Sequence, residues 1–193
     1  MIARHVWKRM SIASVLALVL AGPIYAQLDQ IPQKLKSFTE DELVPIGRAE
    51  AVVSAVNEQN ALNLAQSEIR SRDARWKQES GVNEFMFSLM TNRAAFRLLN
   101  VETRNGFIVE SFVTDNQGAL VSLTEVTSDY WQGDEAKFTE AYDGGEGSIR
   151  YGPIEFDGSA GEIVTQISVP VMSGGSAVGV AVFSISLDRW ERR

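Results

Sequence analysis

The segment Thr127–Glu135 carries the side chains whose types and spacing best suit ligand chemistry. Tyr130 and Trp131 stand side by side, with Asp129 before them and Asp134 after them. Aromatic faces beside carboxylates suit an organic cation or amino group, which they hold by cation–π contacts and charge-assisted hydrogen bonds. The alternative is structural: the acids open a helix, where the helix dipole favours them, and the rings fill the core of a sheet.

The composition excludes several classes of catalytic and metal site. The sequence has no cysteine, which removes disulfides, thiolate nucleophiles, iron–sulfur clusters and cysteine zinc sites. The one histidine, His5, lies in a segment that we expect to be cleaved, so the mature chain lacks an imidazole base. The sequence also has no P-loop, dinucleotide fingerprint or calcium loop. We therefore expect a protein that is not an enzyme and uses no cofactor and no metal.

The first residues, Met1–Ala26, have the layout of a secretory signal peptide. Arg4, Lys8 and Arg9 form a basic start, and the apolar run Ser11–Ala21 is shorter than the ~20 residues of a membrane span. We predict export to the periplasm, with an uncleaved N-terminal anchor as the alternative. Cleavage would take the net charge from −7 to −10, which disfavours nucleic acid and anionic lipid as partners.

The first half of the mature chain has the hydrophobic period of helices. Apolar residues spaced by three, four and seven predict one long helix over Glu40–Gln78, or two helices with a break near Asn57–Asn60. Two shorter helices are predicted at Val82–Leu89 and Asn92–Thr103, with Asn92 as the N-cap of the second.

The second half changes to the period of strands after Gly106, and the turn Asp115–Gly118 indicates a β-hairpin. The predicted strands are Phe107–Thr114, Ala119–Val126, Gly147–Phe156, Glu162–Met172 and Ser176–Leu187, with a short helical insertion between the second and third. Residues 27–193 are thus predicted to form one α+β domain, mostly helical over 37–105 and mostly antiparallel sheet over 106–188.

The stretch Phe112–Leu187 resembles the extracytoplasmic sensor domains called Cache or PDC domains, which are relatives of the PAS fold. The matching segments are Phe112–Gly118, Thr127–Glu135, Ile154–Asp157, Gln166–Val171 and Val178–Val180. The resemblance implies a five-stranded PAS-like sheet preceded by a long N-terminal helix and two shorter ones. It also implies a pocket between the sheet and the loops after its second strand, for a small polar metabolite such as an amine or a carboxylate.

Several residues are expected in that pocket from the resemblance. It places Thr127–Glu135 at the border of the pocket, so that Asp129, Tyr130, Trp131 and Asp134 line it.

Two residues of the third strand are further candidates. The resemblance implies that Asp157 holds an amino group of the ligand, although a turn aspartate that bonds its own backbone is an equal alternative. Tyr151 either lends a hydroxyl to the pocket or packs in the core with a hydrated tip.

The sequence departs from the family pattern in two ways. Ser128 and Asp129 precede the aromatic pair where amino-acid-binding members have an arginine, which weakens the case for a carboxylate clamp. No membrane helix or output domain follows the last strand before Arg193, so we expect action through a separate membrane receptor or kinase. The long helix is the expected element of a homodimer. The alternative function is an interaction scaffold that keeps the fold and has no pocket.

Overall fold

A computed structural model describes residues 31–157 and 161–193 of the chain, without the side chain of Asp157. The predicted signal peptide, Met1–Ala26, therefore lies outside the described residues. None of the helices within these ranges is both long enough and apolar enough to cross a bilayer.

Within the described residues, the helical half consists of five α-helices joined by short turns. They are α1 (Gln33–Phe38), α2 (Glu50–Ala61), α3 (Gln66–Trp76), α4 (Glu84–Thr91) and α5 (Arg93–Arg104), with a π-helical turn at Thr39–Leu43 and a 3-10 turn at Ile46–Arg48. The two shorter helices are thus confirmed to within two residues at each end. Asn92 caps α5 as predicted, because its Oδ1 accepts from the Ala95 N–H at 2.9 Å.

The expected long N-terminal helix is divided rather than continuous. Pro45, which has no N–H, follows the π-helical turn, and Ala49 is extended with ψ 133°. A second break lies at residues 62–65, slightly after the predicted Asn57–Asn60, and there Asn63 adopts the left-handed region with φ 46°. Asparagine tolerates that region better than most residues, which accounts for the position of the break.

The sheet has five antiparallel strands in the order β2-β1-β5-β4-β3. The strands are β1 (Ile108–Thr114), β2 (Leu120–Leu123), β3 (Arg150–Asp157), β4 (Glu162–Ser173) and β5 (Ser176–Ser186). Helix α6 (Ala136–Tyr142) lies between β2 and β3 in sequence, and α7 (Leu187–Glu191) follows β5. This arrangement confirms the α+β fold class and the predicted order of elements.

The two faces of the sheet are covered by different helices. On one face Phe112 pairs with Val182, and both belong to an apolar cluster that includes Trp76 of α3, Met86 of α4 and Phe138 of α6. On the other face lie Ser111, Phe183 and Ile167, which oppose one another across β1, β5 and β4. Helix α5 lies there, since the Ser111 hydroxyl donates to its Glu102. Directly opposed residues point to the same side, so the pairing assigns each side chain to one face.

Candidate functional site

An open cleft of about 590 Å³ lies over the face of the sheet that carries Phe112. We call it the sheet cleft. Its floor is formed by Val109, Glu110 and Phe112 of β1 with Gln166 of β4, and one wall by residues 125–128. Gln132 and Lys137 complete the lining. The cleft is therefore bounded by the sheet, by the loop after β2 and by α6.

The strand register explains why the polar side chains of the floor meet. Glu110 opposes Ser184 across β1 and β5, and Ser184 opposes Gln166 across β5 and β4. Residues in one such row share a face of the sheet, so Glu110 and Gln166 both point into the cleft. Phe112, two residues along the same strand, provides apolar floor beside them.

Lys137 brings a positive charge to the rim of the sheet cleft. Its Nζ lies 3.0 Å from Glu135 Oε2 and 5.4 Å from the centroid of the Phe112 ring. The side chain is only 16% exposed, so its stem packs over the floor while the ammonium group keeps a carboxylate partner.

Gln132 has a buried polar atom at the edge of the cleft. Its Nε2 donates to the carbonyl oxygen of Asp129 at 2.8 Å, which fixes the orientation of the amide. Its Oε1 is buried and finds no hydrogen-bond partner among the described residues. An unpaired buried acceptor is costly, by about 1–3 kcal/mol, so this oxygen is suited to meet a donor from a ligand.

Helix α3 holds the loop that forms the wall of the cleft. The Trp76 indole N–H donates to the carbonyl of Thr127 at 2.8 Å. Asp73 accepts from the Trp131 backbone N–H at 3.1 Å and from Lys77 Nζ at 2.6 Å, and Lys77 also lies 3.6 Å from Asp129 Oδ2. These contacts tie both ends of the segment 127–131 to one helix.

Tyr130 and Trp131 lie beneath this loop rather than in the lining of the sheet cleft. Tyr130 is fully buried, with its ring centroid 5.9 Å from that of Trp76 and 5.5 Å from that of Phe85. Burial raises the pKa of its phenol to about 12, the charge of Asp115 adds to the rise, and Arg72 opposes it. Tyr130 is thus a neutral core residue at physiological pH.

The ring of Trp131 already has a cation as its partner. The guanidinium carbon of Arg70 lies 3.4 Å from the centroid of the Trp131 ring system, and the indole N–H donates to the Gln117 carbonyl at 2.8 Å. The sequence analysis expects the aromatic pair to make a cation–π contact with a ligand. In the structure, Arg70 of the chain itself makes this contact with Trp131. Arg70 lies on the exposed side of α3, and no local pattern connects it to Trp131.

The other predicted site residues lie apart from one another. Asp129 is partly buried and interacts with Lys77 and Gln132, and Asp134 is exposed just before α6. Tyr151 opposes Ile167, so it lies on the opposite face of the sheet, where Lys36 Nζ is 5.9 Å from its ring centroid. Burial raises the pKa of the Tyr151 phenol. The side chain of Asp157 lies outside the described part of the chain.

Sequence reasoning missed the floor of the sheet cleft and its lysine. Glu110 is a charged residue in the otherwise largely apolar strand β1, two residues before Phe112. Because residues two apart in a strand share a face, the sequence could have predicted a polar position on the face that carries Phe112. Gln166 and Lys137 offered no comparable signal, because only the register of β4 and the placement of α6 bring them to Glu110.

Comparisons with known proteins give similarity at the level of structure only. No family model matches the chain, and no curated protein matches it. It is similar to the sensor domain of the V. cholerae histidine kinase DctB, with a TM-score of 0.44 and 12% identity over 88% of this chain and 55% of that one. It is also similar to the ligand-binding domain of the Pseudomonas aeruginosa amino acid chemoreceptor PctC, solved with GABA, with a TM-score of 0.40 and 15% identity over 72% and 59%.

A third similar structure is the ligand-binding domain of the Campylobacter jejuni chemoreceptor Tlp3, solved with 4-methylisoleucine. Its TM-score is 0.42, with 15% identity over 83% of this chain and 63% of that one. The chain therefore spans between half and two thirds of the length of these solved domains. Identities of 12 to 15% do not transfer a ligand or a partner from those proteins to this chain.

Proposed function

We propose that this chain is a periplasmic sensor domain that binds a small polar metabolite in the sheet cleft. The observation that carries the proposal is the open 590 Å³ cleft on the sheet, bordered by the buried and unpaired Oε1 of Gln132. A volume of this size lies within the range of about 300–1,000 Å³ that is usual for small-molecule sites. The proposal is of a binding domain, not of an enzyme.

The charges of the cleft favour a ligand that carries an amino group. Glu110 and Glu125 line the cleft with Lys137, and the ammonium group of Lys137 is already paired with Glu135. The lining side chains therefore carry two carboxylates and one ammonium group, a formal charge of −1, which suits a ligand ammonium group. Phe112 offers an apolar surface for the body of the same ligand.

Tyr130 and Trp131, the predicted aromatic pair, pack beneath the loop that forms the wall of the sheet cleft. Tyr130 fills the core under the wall, and Trp131 is anchored to α3 through Asp73. Asp129 orients Gln132 by accepting from its amide. Direct contact of Asp134 or Asp157 with a ligand stays a prediction, whereas Tyr151 lies on the wrong face to take part.

We further propose that a separate membrane receptor or kinase reads the state of the cleft. A homodimer through the N-terminal helices also stays a prediction. The buried residues of α2, Val52 and Val56, lie within the domain itself, so such a dimer would have to use the remaining, more polar surface of that helix.

The test of the proposal is a thermal-shift screen of the exported chain against amines, amino acids and carboxylates. An amine present at about 100 times its dissociation constant should stabilise the fold by ~2.7 kcal/mol, which is on the order of 5–10 °C for a domain of this size. Glu110→Gln should abolish the shift, and Glu146→Gln, an exposed substitution outside the cleft, should preserve it. An equal thermal shift in Glu110→Gln and Glu146→Gln would show that the amine does not bind in the sheet cleft.

A second candidate function, an interaction scaffold, is favoured by one specific observation. Phe87 of α4 is 60% exposed, and Phe96 and Leu99 of α5 are 59% and 49% exposed. Such side chains on neighbouring helices are typical of protein contact surfaces. No thermal shift with any small molecule, together with a partner captured only by the chain with Phe96 intact, would favour the scaffold.

A further inference from the structure

A second cleft, of about 330 Å³, lies between α3 and the start of α4. We call it the α3–α4 cleft. It shares no lining residue with the sheet cleft. Glu68, Arg72 and Arg75 of α3 line it on one side, and Phe85 of α4 lines it on the other. Its volume is near the lower end of the range for ligand sites and suits a molecule built on one ring.

The α3–α4 cleft has aromatic surfaces at its base. Trp76 and Phe85 both line it, with ring centroids 6.3 Å apart and planes at 85°. Tyr130 packs against both rings from within the core. Phe85 keeps part of its ring exposed, so a planar ligand can lie against it and meet the edge of Trp76.

Two guanidinium groups of the cleft share one carboxylate oxygen. Arg72 Nε lies 2.9 Å from Glu68 Oε1, and Arg75 Nη2 lies 3.7 Å from that same oxygen. Each guanidinium has five N–H donors, so one shared oxygen leaves donors available to an anion. Glu79 also lines the cleft and balances its formal charge. Attraction of an anion would thus depend on the guanidinium geometry and not on net charge.

We infer that the α3–α4 cleft binds a small aromatic carboxylate. The carboxylate lies against the guanidinium groups of Arg72 and Arg75, and the ring rests against Phe85. Arg72 already lies 5.6 Å from the centroid of the Phe85 ring, so one molecule can reach both groups. The site is independent of the amine proposed for the sheet cleft, because the two clefts differ in lining and in the charge they would bind.

Benzoate is the probe that tests this site, titrated calorimetrically into the full exported chain with benzylamine as the matched cation. Benzoate should bind and benzylamine should not. Arg72→Gln should weaken benzoate binding by about tenfold to a hundredfold, the loss expected for a hydrogen bond to a charged group. Arg75→Gln should weaken binding as well, because Arg75 is the second guanidinium of the cleft.

Two further variants make the result decisive. Arg97→Gln, on α5 and outside both clefts, should bind benzoate like the parent chain. Equal affinity in the parent chain and Arg72→Gln would overturn the inference, as would the absence of benzoate binding at the highest soluble concentration. Weaker binding in Lys137→Gln but not in Arg72→Gln would place benzoate in the sheet cleft and would also overturn it.

Discussion

The side chains that hold the loop after β2 in place come from α3, a helix far away in sequence. Arg70 stacks on Trp131 and Asp73 accepts from its backbone, so α3 supplies two contacts to one residue of the loop. Cation–π contacts of this kind contribute about 0.5–2 kcal/mol, depending on how far the cation is desolvated. The sequence predicts the aromatic pair as pocket lining, but it does not predict the partner of Trp131, because no local period connects positions 70 and 131.

Arg70→Gln should therefore destabilise the domain without removing a ligand contact. We expect the free energy of unfolding to fall by about 0.5–2 kcal/mol, measured by urea denaturation. Arg70→Lys should recover part of the loss, and Arg97→Gln should leave the midpoint unchanged. If Arg70→Gln left stability intact and altered only ligand affinity, Trp131 would instead belong to the binding site.

Glu102 should make stability depend on pH through its burial. Burial raises the pKa of its carboxyl, while hydrogen bonds from Ser111 and Thr124 oppose the rise. The folded chain thus holds this proton more firmly than the unfolded chain, whose pKa is near 4.5. The stability that this bound proton contributes is fully present below pH 4.5. It is lost as the pH rises through the higher pKa that the carboxyl has in the folded chain.

Glu102→Gln should remove that dependence. The difference in unfolding free energy between the parent chain and the variant should shift in favour of the parent as pH falls from 7 towards 4.5. Glu58→Gln, at an exposed glutamate of α2, is the matched control. A difference that is flat in pH, or that moves in favour of the variant on acidification, would contradict the burial of this carboxyl.

At the level of elements, local signals located most of the fold. Period-2 alternation and turn residues located all five strands, and Asn92 marked the start of α5. The divided N-terminal helix was harder to predict, because its breaks depend on Pro45 and on the left-handed Asn63 within a continuous apolar period. The floor of the sheet cleft depends on strand register, which only the folded sheet displays.

The N-cap asparagines of α4 and α5 allow a matched test of how much the hydrogen bonds between α5 and β2 contribute to stability. Asn83 accepts from the Met86 N–H at 2.9 Å, and Asn92 accepts from the Ala95 N–H at the same distance. Asn92 alone also bonds β2, by donating to the Val121 carbonyl at 2.9 Å and accepting from Ser122 Oγ at 2.7 Å.

Asn83→Ala should therefore cost the ordinary ~1 kcal/mol of a lost cap. Asn92→Ala should cost more, on the order of 2–3 kcal/mol, because its sheet bonds are lost as well. Both values are read from chemical denaturation at neutral pH. Equal losses in the two variants would show that the bonds of Asn92 to β2 contribute nothing measurable.

At the scale of the whole molecule, two clefts with different lining chemistry are connected through the loop after β2. The sheet cleft has an acidic balance over an apolar floor, and the α3–α4 cleft offers guanidinium groups over aromatic rings. Trp76 links them, because it lines the α3–α4 cleft and donates to Thr127, which lines the sheet cleft. The segment 127–131 is thus the part of the chain through which occupancy of the sheet cleft would reach α3.

Chemical-shift mapping of the isotope-labelled chain with its most stabilising amine tests the central claim most directly. The account predicts that the backbone amides of Glu110, Phe112, Gln132 and Gln166 shift together and saturate with one dissociation constant, because these residues surround one cleft. Shifts confined to α4 and α5, or to the α3–α4 cleft, with the sheet residues unmoved, would contradict it.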